Sequence, residues 1–520
     1  MPCYDGGVTV LLLLSCSPST EIGLGEGDDT SPPNVDTAPE NVDGAEDFGC
    51  RPEAEDVEVD EGEVVSLQFA CSGTGTASSW SLVDGPPGAA LESTTGTFTW
   101  TTDLSSAGAW PVRVAAHGEG EEEGEARVNV VDAYDAPGNE LVTPASYLTE
   151  YGLPVFHIEL PPDINFDDSE PTTITYRGEP YDVEIQYRGA ASSYYPKKSF
   201  RVKFPPDHEF DDEDEGFPNR RGIVLTSTFD DNAYFRQKMV YDLWNMQDES
   251  RAQIENLMVV VYLDGEYHGL YVLTDHISGE WWEDYGHNED GSLYKSVDHS
   301  ANFYSTYGGS TKSSWHSGYE KKEGIPNDYS DIDALVQFVA ESSDADFDAQ
   351  IGEMIVLEEF YDWWSLVVFT ESDDSGGKNA YLYNDPAAPL WHHAPWDFNH
   401  SLGQTWQTDR EPATYDYDFT SANNLFRRLL GSRTYGADMS GRFDAQRDTV
   451  FHPDVTMALI DGYIERIDKS ARRDWDKWQD DYYSYSGWSW RSNWTDYDGE
   501  VAYVREWLRD RHDFVEDWNP

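Results

Sequence analysis

Between residues 50 and 133, apolar and polar positions alternate in short runs. They are Val57-Glu58-Val59, Val64 to Phe69, Thr97-Phe98-Thr99-Trp100, Trp110 to Val114 and Ala126 to Val131. Turn-forming clusters such as Asp84-Gly85-Pro86-Pro87-Gly88 separate them. A period of two marks half-buried strands, and many short strands between such turns predict a small all-β sandwich. The stretch from Pro86 to Trp100 resembles bacterial immunoglobulin- or cadherin-like modules.

From about residue 146 the pattern becomes mixed. Tyr181, Val183, Ile185 and Tyr187 alternate with Asp182, Glu184 and Gln186, and Gly178-Glu179-Pro180 joins this strand to Thr172–Arg177. Phe200, Val202 and Phe204 mark a third strand. Val259 to Leu263 and Leu270 to Leu273 flank Asp264-Gly265, a hairpin signal. Phe235, Met239, Leu243 and Met246 recur at helical spacing after Asp230-Asp231, which reads as an N-cap. Ile355 to Phe369 predicts a largely apolar helix. The expected class is α+β, with the small sandwich in front.

Charge and cysteine narrow the picture. The chain of 520 residues carries 34 basic and 100 acidic side chains, a formal net charge of −66. No basic stripe is available for phosphodiester backbones, so nucleic acid is excluded as a partner. Residues 1–15 read as a leader whose Leu13-Leu14-Ser15-Cys16 resembles a bacterial lipobox, although Met1 to Gly7 holds no base. Cys16 would then carry a lipid, the one expected membrane contact. Residues 16–49 are acidic and rich in Gly, Pro and Ser, which predicts a disordered tether. Beyond Cys3 and the lipobox-like Cys16 only Cys50 and Cys71 remain, and they are expected to form a disulfide in an oxidising, extracytoplasmic compartment. The protein is expected to be lipid-anchored at the cell envelope or secreted.

Lysine is scarce, and the first in the chain is Lys197. The segment Arg188-Gly189-Ala190-Ala191-Ser192-Ser193-Tyr194-Tyr195-Pro196-Lys197-Lys198 is a strand, a small-residue loop and two lysines leading into the next strand. Such a loop can cradle phosphate with backbone N–H groups, and a lysine beyond it can bridge phosphates. By strand parity Lys198 shares the face of Phe200 and Val202, while Lys197 shares that of Arg201 and Lys203. Further on, Asp374 and Asn379 have the spacing D-x-x-x-x-N, then a short hairpin leads to Asp397. Catalytic loops of protein kinases use that order: an Asp for the acceptor hydroxyl, then Asn and Asp for metal.

Residues 146–520 resemble the CotH (spore-coat protein H) kinases. The resemblance rests on Arg188 to Lys203, Phe235 to Leu243, Tyr262 to Asp275, Lys378 to Tyr383 and Ala394 to Asn399. It implies an atypical protein-kinase-like domain that moves the γ-phosphoryl of ATP to Ser or Thr hydroxyls of a protein. Asp374 would be the catalytic Asp. Asn379 and Asp397 would hold Mg²⁺ or Mn²⁺, and Lys197, Lys198, Arg188 and Ser192 would contact ATP. Thr274-Asp275-His276 and Trp396-Asp397-Phe398-Asn399 depart from the family pattern, the second by one carboxylate. Two rivals use the same residues differently: a weak or inactive kinase-fold surface adhesin, and a metal-dependent hydrolase or nucleotidyl transferase. His392, His393 and His400 raise a zinc site as a further reading, and the aromatic stretch Trp475 to Trp494 reads as packing.

Overall fold

A computed structural model describes residues 48–516, apart from 61, 87, 103–105, 107, 119 and 132–147. The leader, the Cys16 anchor and nearly all of the tether lie outside the described residues. In the N-terminal part, Val57–Asp60, Glu121–Val131, Gly108–His117 and Ser79–Asp84 form a four-stranded sheet in that order. Val64–Gln68, Thr97–Thr101 and Ala90–Glu92 form a three-stranded one. Alternation buries Val65, Leu67, Phe98, Trp100, Val112, Val114 and Val128. Cys50 and Cys71 are disulfide-bonded.

The second part is built on an eight-stranded sheet. Its order is Thr149–Glu150, Leu153–Ile158, Glu170–Tyr176, Glu179–Arg188, Ser199–Lys203, Gly222–Ser227, Glu266–Asp275 and Asn256–Leu263. Leu153–Ile158 also pairs in parallel with Asn256–Leu263, which closes the sheet into a barrel. Phe156, Ile174, Ile185, Phe200, Val202, Leu225 and Val259 fill its interior. Val224, Val260 and Val272 belong instead to the larger core, with Met239, Val240 and Leu243 of the helix Arg236–Gln247. Strands buried on both faces lose the period of two, and this is why Gly222–Ser227 has no alternating signal.

A four-stranded sheet follows, in the order Tyr319–Glu323, Ser292–Ser296, Ala380–Asn384, Trp391–Pro395. The apolar helix Leu357–Thr370 buries Trp363, Trp364, Leu366 and Val367 in the same large core. Two long helices, Pro453–Ser484 and Tyr497–Glu516, complete the domain. The architecture is α+β with a β-rich N-terminal part.

Three local expectations change. The hairpin after Glu170–Tyr176 turns at Arg177-Gly178, with φ of 48° and 83°, and Pro180 falls inside the next strand. A two-residue turn with both φ positive matches strand twist better than a turn centred on proline. At the helix start the N-cap position is Phe235, without a side-chain cap, and Asp231 stands further back, accepting from the Arg236 N–H at 2.8 Å and its guanidinium at 2.7 Å. Asp230 faces elsewhere.

The third change concerns the lysine pair. The strand begins at Ser199, so parity does not extend back to Lys197 and Lys198. Lys197 is fully buried, where its ammonium meets Asp474 of the helix Pro453–Ser484 and donates to Thr228 Oγ1 at 3.0 Å. Gly269 permits this approach, because a Cβ there would stand 2.2 Å from Asp474 Oδ2. Lys198 turns back on its own loop, donating to the carbonyls of Ser193 at 2.8 Å and Tyr195 at 2.6 Å. Removing one partner of a buried ion pair strands the other. Lys197→Met is therefore expected to lower unfolding free energy by about 3–5 kcal/mol in urea titrations. A change under about 1 kcal/mol would contradict a structural role for this lysine.

Candidate functional site

A cleft of about 1010 Å³ takes its lining from both sheets and the loops around them. Its geometry starts from the hairpin Ala380–Asn384/Trp391–Pro395. Ala380 pairs with Pro395, and the Trp396 N–H donates to the Asn379 carbonyl at 3.1 Å, so Asn379 and Asp397 emerge side by side. Both are left-handed, with φ of 55° and 66°, a region that Asn and Asp enter more readily than other side chains. The Asp397 N–H is fixed by the hydroxyl of Tyr241 at 3.1 Å, from the helix Arg236–Gln247.

Asp374 lies on the turn Asp373–Ser375 that follows the apolar helix. Its carboxylate accepts from Lys378 Nζ at 2.8 Å and Asn379 Nδ2 at 2.9 Å, and lies 3.3 Å from His299 Nε2. Burial opposes its ionisation, but His299 and Lys378 outweigh it and hold the group well below the usual carboxylate range. Its neighbour Asp373 moves the other way, raised by burial and by Asp374 itself.

The facing wall is cationic. Gly189 opens the small-residue loop at φ 129°, and a Cβ there would collide with Ser192 Oγ at 2.2 Å. Arg188 lies with its guanidinium 5.1 Å from the Trp396 ring centre and donates to Thr226 Oγ1 at 3.3 Å. Lys295 stands 5.4 Å from the Trp396 ring and 5.6 Å from that of Tyr381. Burial first, and then Arg188, pull its ammonium down to about 8. His276 also lines the cleft and is held neutral near 3 by burial and by Arg201, Arg188, Lys295 and Lys322. Among the described residues, Arg188 and Lys295 make no ion pair with a carboxylate.

The structure thus gathers Arg188, Ser192, Asp374, Asn379 and Asp397 around one cleft and leaves Lys197 and Lys198 out of its lining. The expected contact of those two lysines with phosphate finds no support in this geometry: one is taken by Asp474, the other by loop carbonyls. Lys295, Arg201, Lys322 and Asp230 line the cleft and were missed. Lysine scarcity was the available signal for Lys295, an isolated base on a strand that pairs Lys295 with Tyr381. Asp275 does not orient a lysine. It is buried on Arg220 Nε at 2.7 Å and Trp281 Nε1 at 3.0 Å. The three histidines go to separate partners: His392 to Glu359, His393 to a stack on Trp363, and His400 to Asp230.

The donor set suits a hard divalent cation. Asp397 accepts no side-chain hydrogen bond among the described residues, the Asn379 amide nitrogen is committed to Asp374, and Asn399 Oδ1 is buried without a partner. All three then present oxygen, the donor that Mg²⁺ and Mn²⁺ select. Among the described residues no three His, Cys, Asp or Glu side chains form a complete cage.

Comparison with known proteins follows this geometry. The family model for CotH kinase protein matches residues 185–515, which include every cleft residue discussed above. Inner spore coat protein H of Bacillus subtilis (strain 168) is 24% identical over 311 residues, 59% of this chain and 83% of that protein. Among solved structures, human CDH23 EC21-23 matches with a TM-score of 0.16 and 15% identity, over 34% of this chain and 63% of that one. The endo-fucoidan hydrolase MfFcnA4_H294Q from glycoside hydrolase family 107 matches at 0.14 and 12%, over 31% of this chain and 27% of its own length. Overlaps that poor carry no structural argument. The family model spans well over half of the sequence, and the chain belongs to the CotH kinase family.

Proposed function

We propose that this chain transfers the γ-phosphoryl group of ATP to a Ser or Thr hydroxyl of a protein outside the cytoplasm. The observation that carries the reading is the joint presence in one cleft of ionised Asp374, the oxygen donors Asn379 and Asp397, and the cations Arg188 and Lys295. In such a transfer the acceptor oxygen bonds to the γ-phosphorus, the bond to the β-phosphate oxygen breaks, and ADP leaves. Catalysis is then mostly positioning and charge neutralisation. Asp374 orients the acceptor hydroxyl and takes up or passes on its proton. Arg188 and Lys295 place the phosphates, and the Gly189–Ser192 loop covers them with backbone donors. Asp397 and Asn379 would hold Mg²⁺ or Mn²⁺, which when bound neutralises charge on the phosphate oxygens. The Cys50–Cys71 disulfide supports an oxidising compartment. The lipobox-like Cys16 supports a lipid anchor, with secretion as the other route.

Incubation with Mg²⁺, γ-labelled ATP and a Ser-rich acceptor should put label into protein. Asp397→Ala should abolish the transfer. Asp374→Asn should lower turnover by about a hundredfold to ten-thousandfold while nucleotide affinity is retained. Release of AMP in place of ADP, or label that persists in Asp397→Ala, would contradict the reading.

Nucleotide affinity should also fall as pH rises through about 8, because Lys295 is protonated below that value and neutral above it. The protonated form attracts phosphate, so binding near that pH should take up protons. Calorimetry in two buffers of different ionisation heat measures this uptake. Lys295→Met should bind more weakly and with a flatter profile, and an unchanged profile in that variant would remove Lys295 from the phosphate site.

A further inference from the structure

Asp230 precedes the helix Arg236–Gln247, yet Asp231 serves that helix start and Asp230 turns into the cleft. It is only 2% exposed. Its Oδ2 receives three side chains from two separate segments: Tyr195 OH at 3.1 Å, Asn399 Nδ2 at 2.5 Å and His400 Nε2 at 3.1 Å. Its backbone carbonyl is held by Gln404 Nε2 at 2.7 Å. Oδ1 takes no hydrogen bond or ion pair among the described residues. A buried carboxylate with one oxygen saturated and the other left open has a fixed orientation and a free acceptor. The same contact sorts the Asn399 amide. Its nitrogen must face the carboxylate, so its oxygen is the free end, and that oxygen is buried without a partner. Burying an amide oxygen unpaired costs free energy unless something binds it. Among the described residues, Asp397 and Asp373 line the cleft without a side-chain hydrogen bond or ion pair, whereas Asp374 is taken by Lys378, Asn379 and His299.

We infer that Asp230 is a positioning residue of the cation site: it orients Asn399 to present its amide oxygen and adds an open carboxylate oxygen to the cleft from the segment before the first helix. This rests on the phosphotransfer reading above. A purely structural role, tying the Tyr195 loop to the Asn399 segment, would predict a loss of stability with no selective loss of metal.

The test is Mn²⁺ binding to the full chain, followed by electron paramagnetic resonance of the free ion, with a non-hydrolysable ATP analogue present. Asp230→Asn should weaken Mn²⁺ affinity about tenfold to a hundredfold, the range for partners that orient metal ligands. The exchange variant, Asp230→Asn with Asn399→Asp, restores the carboxylate and keeps an amide opposite it, and should recover most of that loss. Asn399→Asp alone should bind Mn²⁺ more tightly than the parent, and it decides the matter if Asp230→Asn does not fold. Unchanged affinity in Asp230→Asn, or no recovery in the exchange variant, would overturn the proposal. So would unchanged or weaker binding in Asn399→Asp where that variant is the one that decides. Asp397→Ala separates the two readings. If it abolishes Mn²⁺ binding while Asp230→Asn does not weaken it, only the role of Asp230 falls. If Asp397→Ala leaves binding intact, the phosphotransfer site itself falls.

Discussion

An ammonium or guanidinium group removed from water without a counter-charge costs several kcal/mol. This constraint decides where the chain can place its 34 bases among 100 acids. The deeply buried cations are matched. Lys197 meets Asp474, Arg220 meets Asp275, Arg236 meets Asp231 and Glu500, and Arg511 meets Glu371. Apart from Arg236–Asp231, these pairs join segments far apart in sequence, and they hold the barrel, the first helix and the two last helices in register. Arg188 and Lys295 follow a different rule. They rest against Trp396 and Tyr381, whose ring faces contribute about 0.5–2 kcal/mol each and leave the positive charge free for an anion. The two groups of cations differ in whether a carboxylate meets them, and burial alone does not separate them.

A similar offset holds Asn379 and Asp397 in place. Left-handed backbone at Asn379 and Asp397 costs on the order of 1–3 kcal/mol per residue. The hairpin between them offsets it, with the Trp396–Asn379 backbone bond and the Tyr241 hydroxyl beneath Asp397. Tyr241 belongs to the helix packed on the barrel. The packing of one helix thus sets the position of a residue whose chemistry concerns the other sheet. On the opposite side Tyr195 sits in an aromatic cluster with Phe229, Tyr482 and Trp488, which steadies the end of the small-residue loop. The aromatic stretch near the C-terminus is packing in this sense, as its composition suggested.

What could be read from sequence follows how local each signal is. That Asn379 and Asp397 meet was legible because a short hairpin fixes their relation within twenty residues of chain. The place of Asp374 beside Asn379 was legible for the same reason. The strands of the barrel with one face inward showed their period of two, whereas Gly222–Ser227, buried on both faces, showed none. The partners of Lys197 were not legible because the evidence for them is not local. Lys197 is claimed by a carboxylate 277 positions away, and no pattern near residue 197 announces Asp474. Lys295 gains its surroundings from strands that pair only in the folded chain. Asp230 was misread for a related reason: two adjacent acids before a helix look alike as caps, and only tertiary contacts show that one of them faces the cleft.

The account stands most directly on where a nucleotide would lie. The decisive measurement is a crystal structure of the chain with Mg²⁺ and a non-hydrolysable ATP analogue. The account predicts the triphosphate between Arg188 and Lys295, with the ion on Asp397 and Asn379 and the γ-phosphate facing Asp374. A triphosphate held by Lys198, an ion away from Asp397, or an empty cleft at saturating nucleotide would contradict it.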